Sequence, residues 1–333
     1  MSDNRRLLPL LLALCVTLTT IPLVLGFLGG LHLAFDSFAH FRVHLALLVV
    51  VLALPLLLYS GWRRIGLMAI VLSLSSIASV TVPTSSEARA NAATAQGEPA
   101  RYRLLQLNLR YDNRSPREVL SLIGRVAPDV ITLEEVSGMW RDELGLVESA
   151  YPYRIICDSP SPVGSVAILS RRPFLHPSTA RCYNRGALAI ATVKFGGTAI
   201  DIAALHLGWP WPFEQPWQIR HVEPPLTRLG GTAILGGDLN AVPWSAIARR
   251  VATAGGLTPI GDIGPTWLAR PLPNALRRNV GLPIDNVFVK GGIVPLRTER
   301  LRQVGSDHLP VLLEFAVNPQ GGEPGVMQAT LGQ

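Results

Sequence analysis

Polar residues that can bind a cation or move a proton stand at the ends of apolar segments in this chain. In GGDLN, Asp238 and Asn240 follow the apolar run Thr232–Leu235. Two glycines precede the acid, which would let a substrate approach the backbone closely. In GSDHLP, Asp307 and His308 directly precede another apolar run. Further polar residues end apolar segments, namely Asn108, Glu135, His206 and Asp285. Because α/β folds place their chemistry at strand ends, these residues form the candidate site.

The residue types in this set suit one kind of reaction. Carboxylates and amides without a cysteine cluster favour a hard cation such as Mg²⁺ or Mn²⁺, and histidines beside acids stabilise anions or transfer protons. Together they can hydrolyse a phosphate ester. Taken singly, Asp238 or Asp285 is equally a turn residue, His206 a structural hydrogen-bonding residue and Glu135 a surface acid. Their joint occurrence at successive strand ends favours the chemical interpretation.

The elements that must position these residues are strands and helices in alternation. Residues 101–110 and 128–136 predict two buried strands, and SPREVLSLIGRVAP between them predicts a helix with Ser115 at its N-cap. This strand–helix–strand unit predicts a mixed α/β sheet. Further strands are predicted over 165–170, 187–195, 198–207, 232–240, 283–289 and 310–316.

The first 82 residues are strongly apolar and predict a membrane region. Three transmembrane helices are expected over about 7–26, 44–60 and 65–82. A cleaved signal peptide is the alternative for the first run, and the two later runs disfavour it. Residues 83–100 predict a flexible linker, 101–317 the globular domain, and 318–333 a disordered tail.

Basic residues predict how the membrane region is oriented. Arg5 and Arg6 precede the first apolar run, and Arg63 and Arg64 lie between the second and third. The positive-inside rule places both pairs in the cytoplasm and the globular domain outside it. In an oxidising compartment Cys157 and Cys182 can pair, which the sequence leaves open. No cysteine spacing typical of a zinc site occurs.

The charge pattern does not indicate a dedicated nucleic-acid binder. The formal net charge is +7, a mild excess that helps attract phosphate groups. The chain has no long run of Lys and Arg, and Lys194 and Lys290 are its only lysines. Arg171, Arg172 and Arg185 are candidates to meet a phosphate, although surface positions suit at least one of them better.

Several of these segments, in this order, resemble the endonuclease/exonuclease/phosphatase superfamily. The matching segments are LNLR (107–110), LEEV (133–136), ILSRRPF (168–174), LHL (205–207), GGDLN (236–240), IDNVFV (284–289) and GSDHLP (305–310). With its apolar N-terminal region and HLGWP segment, the chain looks like the bacterial membrane-anchored members. The resemblance implies a DNase I-like α/β (α+β sandwich) fold, in which two mixed β-sheets are flanked by helices in four layers, here preceded by three transmembrane helices.

The resemblance also implies a metal site. Glu135 would be the principal ligand of Mg²⁺ (or Mn²⁺), with Asn108 beside it and Asp307 completing the site. The family commonly has Gln before the metal-binding Glu, whereas this chain has Glu134. An extra acid there would bind a second cation or repel a polyanionic substrate.

Five residues receive catalytic roles from the same resemblance. Asp238 would orient or activate the attacking water, and Asn240 would hold the phosphate. His206 would stabilise the charged transition state, and His308 would act as acid or base while paired with Asp285. The general base, Asp238 or His308, stays open at this point.

The expected protein is a membrane-anchored, divalent-metal-dependent phosphodiesterase in the bacterial inner membrane, with a cytoplasmic N-terminus and a periplasmic catalytic domain. Its expected substrate is extracytoplasmic nucleic acid or a phospholipid head group, and its oligomeric state is left open. The alternative is a non-catalytic binding module on the same fold. The segment GWPWPFEQPW (208–217) is a stacking wall for bases, an aromatic lip at the membrane interface, or a rigid loop packed on the domain.

Overall fold

The structure is a computed structural model that describes residues 4–80, 100–161, 163, 165–261 and 263–318. Apart from the two residues at positions 100 and 318, the predicted linker 83–100 and the predicted tail 318–333 lie outside the described residues.

The N-terminal region is a small bundle of apolar helices. Its elements are α1 (Asn4–Leu25), α2 (Leu33–Ala39), α3 (Arg42–Ala53), a 3₁₀ turn (Leu54–Leu58) and α4 (Arg63–Ala78). The end of α1, the start of α3 and the end of α4 meet, because the Arg42 guanidinium donates to the Gly26 carbonyl (2.8 Å) and to Ser79 Oγ (3.5 Å). The bundle therefore has one end at which Arg42 lies and an opposite end at which α4 begins.

The prediction of three transmembrane helices is wrong for the described residues. One helix, Leu7–Leu25, is long and apolar enough to cross a membrane. The segment from α2 to Leu58 reaches the required length only across a 65° bend. The third predicted span ends early: α4 has 16 residues, which gives about 24 Å at 1.5 Å per residue, less than the roughly 30 Å of a bilayer core.

Two six-stranded mixed sheets form the centre of the globular domain. In spatial order, the first sheet contains β11 (Ile293–Arg300), β12 (Val311–Val317), β1 (Arg101–Asn108), β2 (Val130–Val136), β4 (Ser165–Ser170) and β3 (Tyr153–Ile156). The second sheet contains β5 (Arg181–Tyr183), β6 (Leu188–Phe195), β7 (Thr198–His206), β8 (Ala233–Asp238), β10 (Asp285–Lys290) and β9 (Thr258–Pro259). The pairs β1–β2 and β7–β8 are parallel, which makes both sheets mixed.

Helices cover the outer face of each sheet. They are α5 (Pro116–Val126), α6 (Gly138–Gly145), α7 (Gln215–Leu226), α8 (Ala246–Gly255) and the short α9 (Arg277–Val280). Along β1, Leu104 faces the second sheet and Leu105 faces α5 and α6, since strand side chains alternate between faces. The core therefore has three apolar layers, and the predicted four-layer sandwich is confirmed.

The predicted strand–helix–strand unit and the six later strands are confirmed. Helix α5 begins at Pro116 as predicted, but the Ser115 hydroxyl makes no capping bond. The sequence did not predict β3, β5, β9 and β11. These strands are short or lie at sheet edges, where a polar sequence such as that of β11 is tolerated.

A disulfide links the edges of the two sheets. Cys157 follows β3, the last strand of the first sheet, and Cys182 lies in β5, the first strand of the second. Their sulfur atoms are 2.03 Å apart. The pairing that the sequence left open is therefore present in the structure.

Helix α2 docks the N-terminal bundle on the globular domain. It belongs to the connecting segment, residues 26–41, between α1 and α3. The buried Asp36 carboxylate accepts hydrogen bonds from Ala246 N (2.7 Å) and Ile247 N (3.1 Å) at the start of α8. His40 Nε2 donates to the carbonyl oxygen of Asn240 (3.0 Å), which accepts. The connecting segment thus contacts the loop that carries a candidate site residue.

Candidate active site

Strand register brings the candidate residues of the second sheet into one row. His206 at the end of β7 lies opposite Asp238 at the end of β8, and Asp238 lies opposite Asp285 at the start of β10. Because neighbouring strands are about 4.8 Å apart, these side chains converge. In the facing sheet, Asn108 lies opposite Glu134, with Glu135 one residue further on.

The glycines of GGDLN serve packing rather than substrate access. A Cβ on Gly236 would lie 2.7 Å from Thr132 Oγ1 of the facing sheet. A Cβ on Gly237 would lie 2.0 Å from the Leu205 carbonyl oxygen. Both distances are too short for real Cβ contacts, so the two glycines allow the sheets and strands to approach closely behind Asp238.

His308 lies between two carboxylates. Its Nδ1 donates to Asp285 Oδ2 (2.8 Å), and its Nε2 is 3.6 Å from Asp238 Oδ2. Burial alone would lower the pKa of His308, but the charges of Asp285 and Asp238 outweigh it and raise the pKa to about 10. Burial raises the pKa of Asp285, yet the His308 charge and hydrogen bond are stronger and lower it. The pair is therefore an imidazolium bound to a carboxylate at neutral pH.

Asp238 occupies the centre of the site. Its Oδ1 accepts from Asn240 N (2.8 Å), and its Oδ2 accepts from Asn108 Nδ2 (3.0 Å) and lies 3.8 Å from His206 Nε2. Burial raises the pKa of Asp238 to about 6, against the opposing charge of His308. Its protonation therefore changes close to neutral pH, which suits a group that accepts a proton.

Glu135 is held in an uncommon backbone conformation. Its φ of 56° places it in the left-handed region, at an irregularity in the pairing of β2 with β4. Its carboxylate accepts from Asn108 Nδ2 (3.1 Å) and from Tyr111 N (2.9 Å). Left-handed backbone costs about 1–3 kcal/mol for such residues and persists where the surroundings enforce it. The strain turns the Glu135 side chain toward the cavity described below.

Glu135 and Asp307 fit a hard cation by the chemistry of their donors. Both are carboxylates, and both line the same cavity. Asp307 has a distant cationic neighbour, Arg270 Nε at 3.7 Å. Asn108 lies behind them, fully buried, and its Nδ2 links Glu135 to Asp238. Oxygen donors of this kind match Mg²⁺ or Mn²⁺.

Asp238, Asp285 and His308 also have metal-ligand spacing, with their ligand atoms within 4.8 Å of one another. Hydrogen bonds already occupy these atoms. His308 donates to Asp285, and Asp238 accepts from Asn108 and Asn240. An imidazolium has no free lone pair for a metal. This trio is therefore a hydrogen-bonded network rather than a cation site.

Glu134 does not face the cavity, so neither expected role, a second cation site or repulsion of a polyanion, is available to it. It is fully buried, and Gln106 Nε2 donates both to Glu134 Oε2 (2.8 Å) and to Asp285 Oδ1 (2.9 Å). Burial raises the pKa of Glu134 well above its usual value, and the nearby Asp285 raises it further. A neutral glutamic acid has nearly the shape of glutamine, the residue expected at this position from the family resemblance.

The candidate residues open on one cavity of about 970 Å³. Six of them line it, namely Glu135, His206, Asp238, Asn240, Asp307 and His308. Asn108 and Asp285 are not among the lining residues. The Asn240 side chain also donates to the Leu207 carbonyl (2.8 Å).

The cavity walls contain residues that the sequence did not assign to the site. Arg270 and Trp267 are two of them, and both come from the loop before α9. Neither residue belongs to a motif, so only the structure identifies them. Of the three arginines considered for phosphate, Arg185 lines the cavity, whereas Arg172 pairs with Asp129 elsewhere.

The fold and the cavity define an α/β sandwich with a buried acid–histidine network at the ends of its strands. The chain belongs to the Endonuclease/Exonuclease/phosphatase family, whose sequence profile matches residues 105–308. A search of curated proteins found no match to the chain.

Solved structures share this fold. The endonuclease/exonuclease/phosphatase from Bacteroides vulgatus has a TM-score of 0.53 at 18% identity, over 66% of this chain and 100% of that one. TDP2 of D. rerio, solved with a single-strand DNA product, has a TM-score of 0.51 at 18% identity, over 66% of this chain and 100% of that one. The enzyme from Beutenbergia cavernae scores 0.50 at 18% identity, over 66% and 72%.

Proposed function

We propose that the protein is a membrane-anchored, divalent-metal-dependent phosphodiesterase whose catalytic domain works outside the cytoplasm. The observation that carries this proposal is the His308–Asp285 pair beside Asp238, in a cavity that also contains Glu135 and Asp307. A paired acid and base next to a set of oxygen ligands is what hydrolysis of a phosphate ester requires.

Water is the proposed nucleophile, and Asp238 is the proposed base. Asp238 accepts hydrogen bonds from Asn108 Nδ2 and Asn240 N, and it lines the cavity. It accepts a proton as water attacks phosphorus. His308 Nε2, held by the Asp285 contact at Nδ1, donates a proton to the oxygen that leaves when the ester P–O bond breaks. His206 and Asn240, which line the cavity, hold the phosphate oxygens.

Glu135 and Asp307 are the proposed ligands of Mg²⁺ or Mn²⁺, and Asn108 orients Glu135. When bound, the cation supplies charge that stabilises the phosphate oxygens in the transition state. Arg185, on the cavity wall, adds a second positive charge for the substrate.

Helix α1 is the proposed membrane anchor. Its large side chains, including Leu7, Leu11, Leu14 and Leu18, are about half exposed, which suits lipid rather than water. The hairpin of α3 and α4 packs beside it. Arg5, Arg6, Arg63 and Arg64 lie at the opposite end of the bundle from the docked domain. By the positive-inside rule, this arrangement supports a periplasmic domain on a bacterial inner membrane.

The disulfide supports the same localisation. Cys157 and Cys182 pair in the catalytic domain, and structural disulfides form in oxidising compartments such as the periplasm rather than in the cytosol.

The experiment measures hydrolysis of a water-soluble chromogenic phosphodiester by the full chain in detergent, with Mg²⁺, Mn²⁺ or EDTA. We expect metal-dependent turnover that falls by about 10²–10⁴-fold in His308→Ala, since that is the usual effect of removing an acid or base. Glu135→Gln should raise the metal concentration needed for half-maximal rate. His176→Ala and Glu118→Gln change exposed residues outside the cavity and should leave both properties unchanged.

Turnover that survives in EDTA would refute the metal-dependent reaction. Equal rates in His308→Ala and His176→Ala would refute the site. A folded chain that binds Mg²⁺ but hydrolyses no diester would instead support a non-catalytic binding module.

A further inference from the structure

Four large aromatic side chains stand exposed beside the cavity. They are Trp209, Trp211, Phe213 and Trp217, with exposed fractions of 54%, 48%, 64% and 41%. We call this set the aromatic rim. An exposed apolar patch of this kind marks a surface that contacts another molecule or a membrane.

The aromatic rim is continuous with the candidate active site. Trp209 and Trp217 line the cavity, whereas Trp211 and Phe213 lie outside its lining. The Trp209 ring packs edge-to-face on Trp267 (5.7 Å between ring centres), and Trp267 lies against the His308 ring (6.5 Å). A partner that binds the aromatic rim would therefore also contact the mouth of the cavity.

The aromatic rim also contacts the connecting segment at one end of the helical bundle. The Trp211 ring is 6.1 Å from the His32 ring, and Ser37 Oγ donates to the Trp211 carbonyl (3.2 Å). On the other wall of the cavity, the loop with Trp267 leads into α9, whose Val280 carbonyl accepts from His44 Nε2 at the start of α3 (2.7 Å). Both walls thus reach the end of the bundle where α1 leaves the proposed membrane.

Charge argues against a polyanion as the partner of this surface. Glu214 is the only charged residue in 208–217, and it lines the cavity beside the rim. Proteins that stack single-stranded bases on aromatic side chains surround them with basic residues that follow the phosphates. The segment 208–217 contains no Lys or Arg, and the arginines nearby, Arg185 and Arg270, lie in the cavity lining rather than in this segment. A tryptophan-rich segment of this kind is typical of the interfacial zone of a bilayer.

We infer that the aromatic rim lies in the outer leaflet of the membrane that holds α1, and that the substrate is the phosphodiester of a phospholipid head group in that leaflet. This inference rests on the proposed function. The connecting segment holds the cavity mouth at head-group level, so lipids reach the site by diffusing in the bilayer, and the hydrolysed bond is an ester P–O bond of the head group.

The test uses the full chain reconstituted into vesicles of phosphatidylcholine and phosphatidylethanolamine. The first readout is quenching of tryptophan fluorescence by lipids brominated on their acyl chains, which needs no enzymatic activity. We expect strong quenching, part of which is lost in Trp211→Phe. If Trp211→Phe is quenched as strongly as the unchanged chain, the rim does not reach the bilayer and the inference is wrong.

The second readout compares release of lipid head groups with hydrolysis of the soluble diester. Phe213 lies outside the cavity lining, so Phe213→Ser should lower head-group release by about tenfold, as expected for removing one buried aromatic side chain from the interface, and change soluble-diester hydrolysis less than twofold. The control is Leu146→Ser, a 73% exposed residue after α6, which should change neither rate.

The remaining outcomes separate this inference from the proposed function. Soluble-diester hydrolysis with cleavage of added DNA or RNA and intact lipids would overturn the lipid substrate and leave the phosphodiesterase in place. Absence of both soluble-diester hydrolysis and head-group release would overturn the proposed function and the lipid substrate together, whatever the quenching shows. Equal lipid turnover in Phe213→Ser and Leu146→Ser would overturn the role of the rim.

Discussion

At the scale of single residues, the environment of Asp238 and His308 predicts how the rate depends on pH. The pKa of Asp238 is raised to about 6, first by burial, and that of His308 to about 10, where Asp285 and Asp238 outweigh burial. The proposed base must be deprotonated and the proposed acid protonated. We therefore expect kcat/KM to rise with pH through about 6 and to fall as pH approaches 10, measured on the soluble diester.

Asp285→Asn provides the matched test of this profile. It removes the charge that sustains the His308 imidazolium and keeps the size of the side chain. The alkaline limb of the profile, assigned to His308, should move to lower pH. The acidic limb is assigned to Asp238, which the substitution does not replace. An alkaline limb that stays in place would show that the group titrating there is not His308.

The second residue-scale prediction concerns Glu134. Because burial raises its pKa well above that of an unfolded chain, the folded protein holds a proton that the unfolded chain releases. The proton contributes fully to stability at pH values below the pKa of Glu134 in the unfolded chain. This contribution is lost as the pH rises through the pKa of Glu134 in the folded protein. Glu134→Gln keeps the hydrogen bond from Gln106 and has no proton to lose at high pH. At pH 8 the variant should therefore unfold at a higher temperature than the unchanged protein, and it should retain activity.

Melting curves of both proteins at pH 5 and pH 8 would measure the effect. The advantage of Glu134→Gln should be larger at pH 8. A variant that loses activity would show that the Glu134 charge is used in the reaction.

The candidate site residues could be proposed from the sequence, because the motifs that contain them stand at the ends of predicted strands. Gln106 and Arg270 were not, since each lies within an ordinary strand or loop and acquires its contacts only through long-range packing. The sequence also could not show why glycine is needed at positions 236 and 237, because the atoms that leave no room for a Cβ belong to Thr132 and Leu205, which are distant in the sequence.

At the scale of elements, the contact between α2 and α8 is an interhelical cap. Ser245 Oγ accepts a hydrogen bond from Ala248 N (3.0 Å). The Asp36 carboxylate accepts from the two preceding amides, Ala246 N and Ile247 N. A helix start otherwise leaves such amides without partners, and its dipole favours the negative charge. The sequence does not reveal this cap, because Asp36 is separated from Ala246 by 210 positions.

Asp36→Ala should therefore destabilise α8 and its junction with the bundle. Two buried amides lose their partner, so we expect the free energy of unfolding to fall by about 1–3 kcal/mol. Hydrogen exchange by mass spectrometry should show faster exchange in peptides covering Ala246 and Ile247. Asp142→Ala, at an exposed acid of α6, is the control. Unchanged exchange at the start of α8 would show that water replaces Asp36 without loss.

The apolar N-terminal helices show which features of an element cannot be predicted from local sequence. Apolar runs predicted their positions well, but not that α4 ends at Ala78, after 16 residues. The bend between α2 and α3 was also missed, because the contacts that hold α2, from Asp36 and His40, are made with the globular domain, far away in the sequence.

At the scale of the whole molecule, the disulfide joins the two halves of the sandwich at the edge strands β3 and β5. Its residues are separated by 25 positions, and a crosslink over such a loop stabilises a protein by about 2–4 kcal/mol. The double variant Cys157→Ala, Cys182→Ala should lose about this much. A reducing agent should destabilise the unchanged protein and leave the double variant unaffected.

Cys15→Ala is the control for this comparison, because Cys15 is an unpaired thiol of α1. It should behave as the unchanged protein under both conditions. Peptide mapping without reduction should recover Cys157 and Cys182 in one linked species. Free thiols at both positions in protein purified without a reducing agent would contradict the pairing.

The order in which the chain is synthesised gives the docking of Asp36 a further consequence. Asp36 leaves the ribosome 210 residues before its partner amide at Ala246, and at about 5–20 residues per second this takes on the order of 10–40 s. Under the proposed anchoring and export, the connecting segment would remain at the membrane surface, with the Asp36 carboxylate not yet bonded to α8, while the globular domain is still being exported. On that proposal, α8 would dock on a segment that is already in place, and the position of the anchor would set where the globular domain completes its folding.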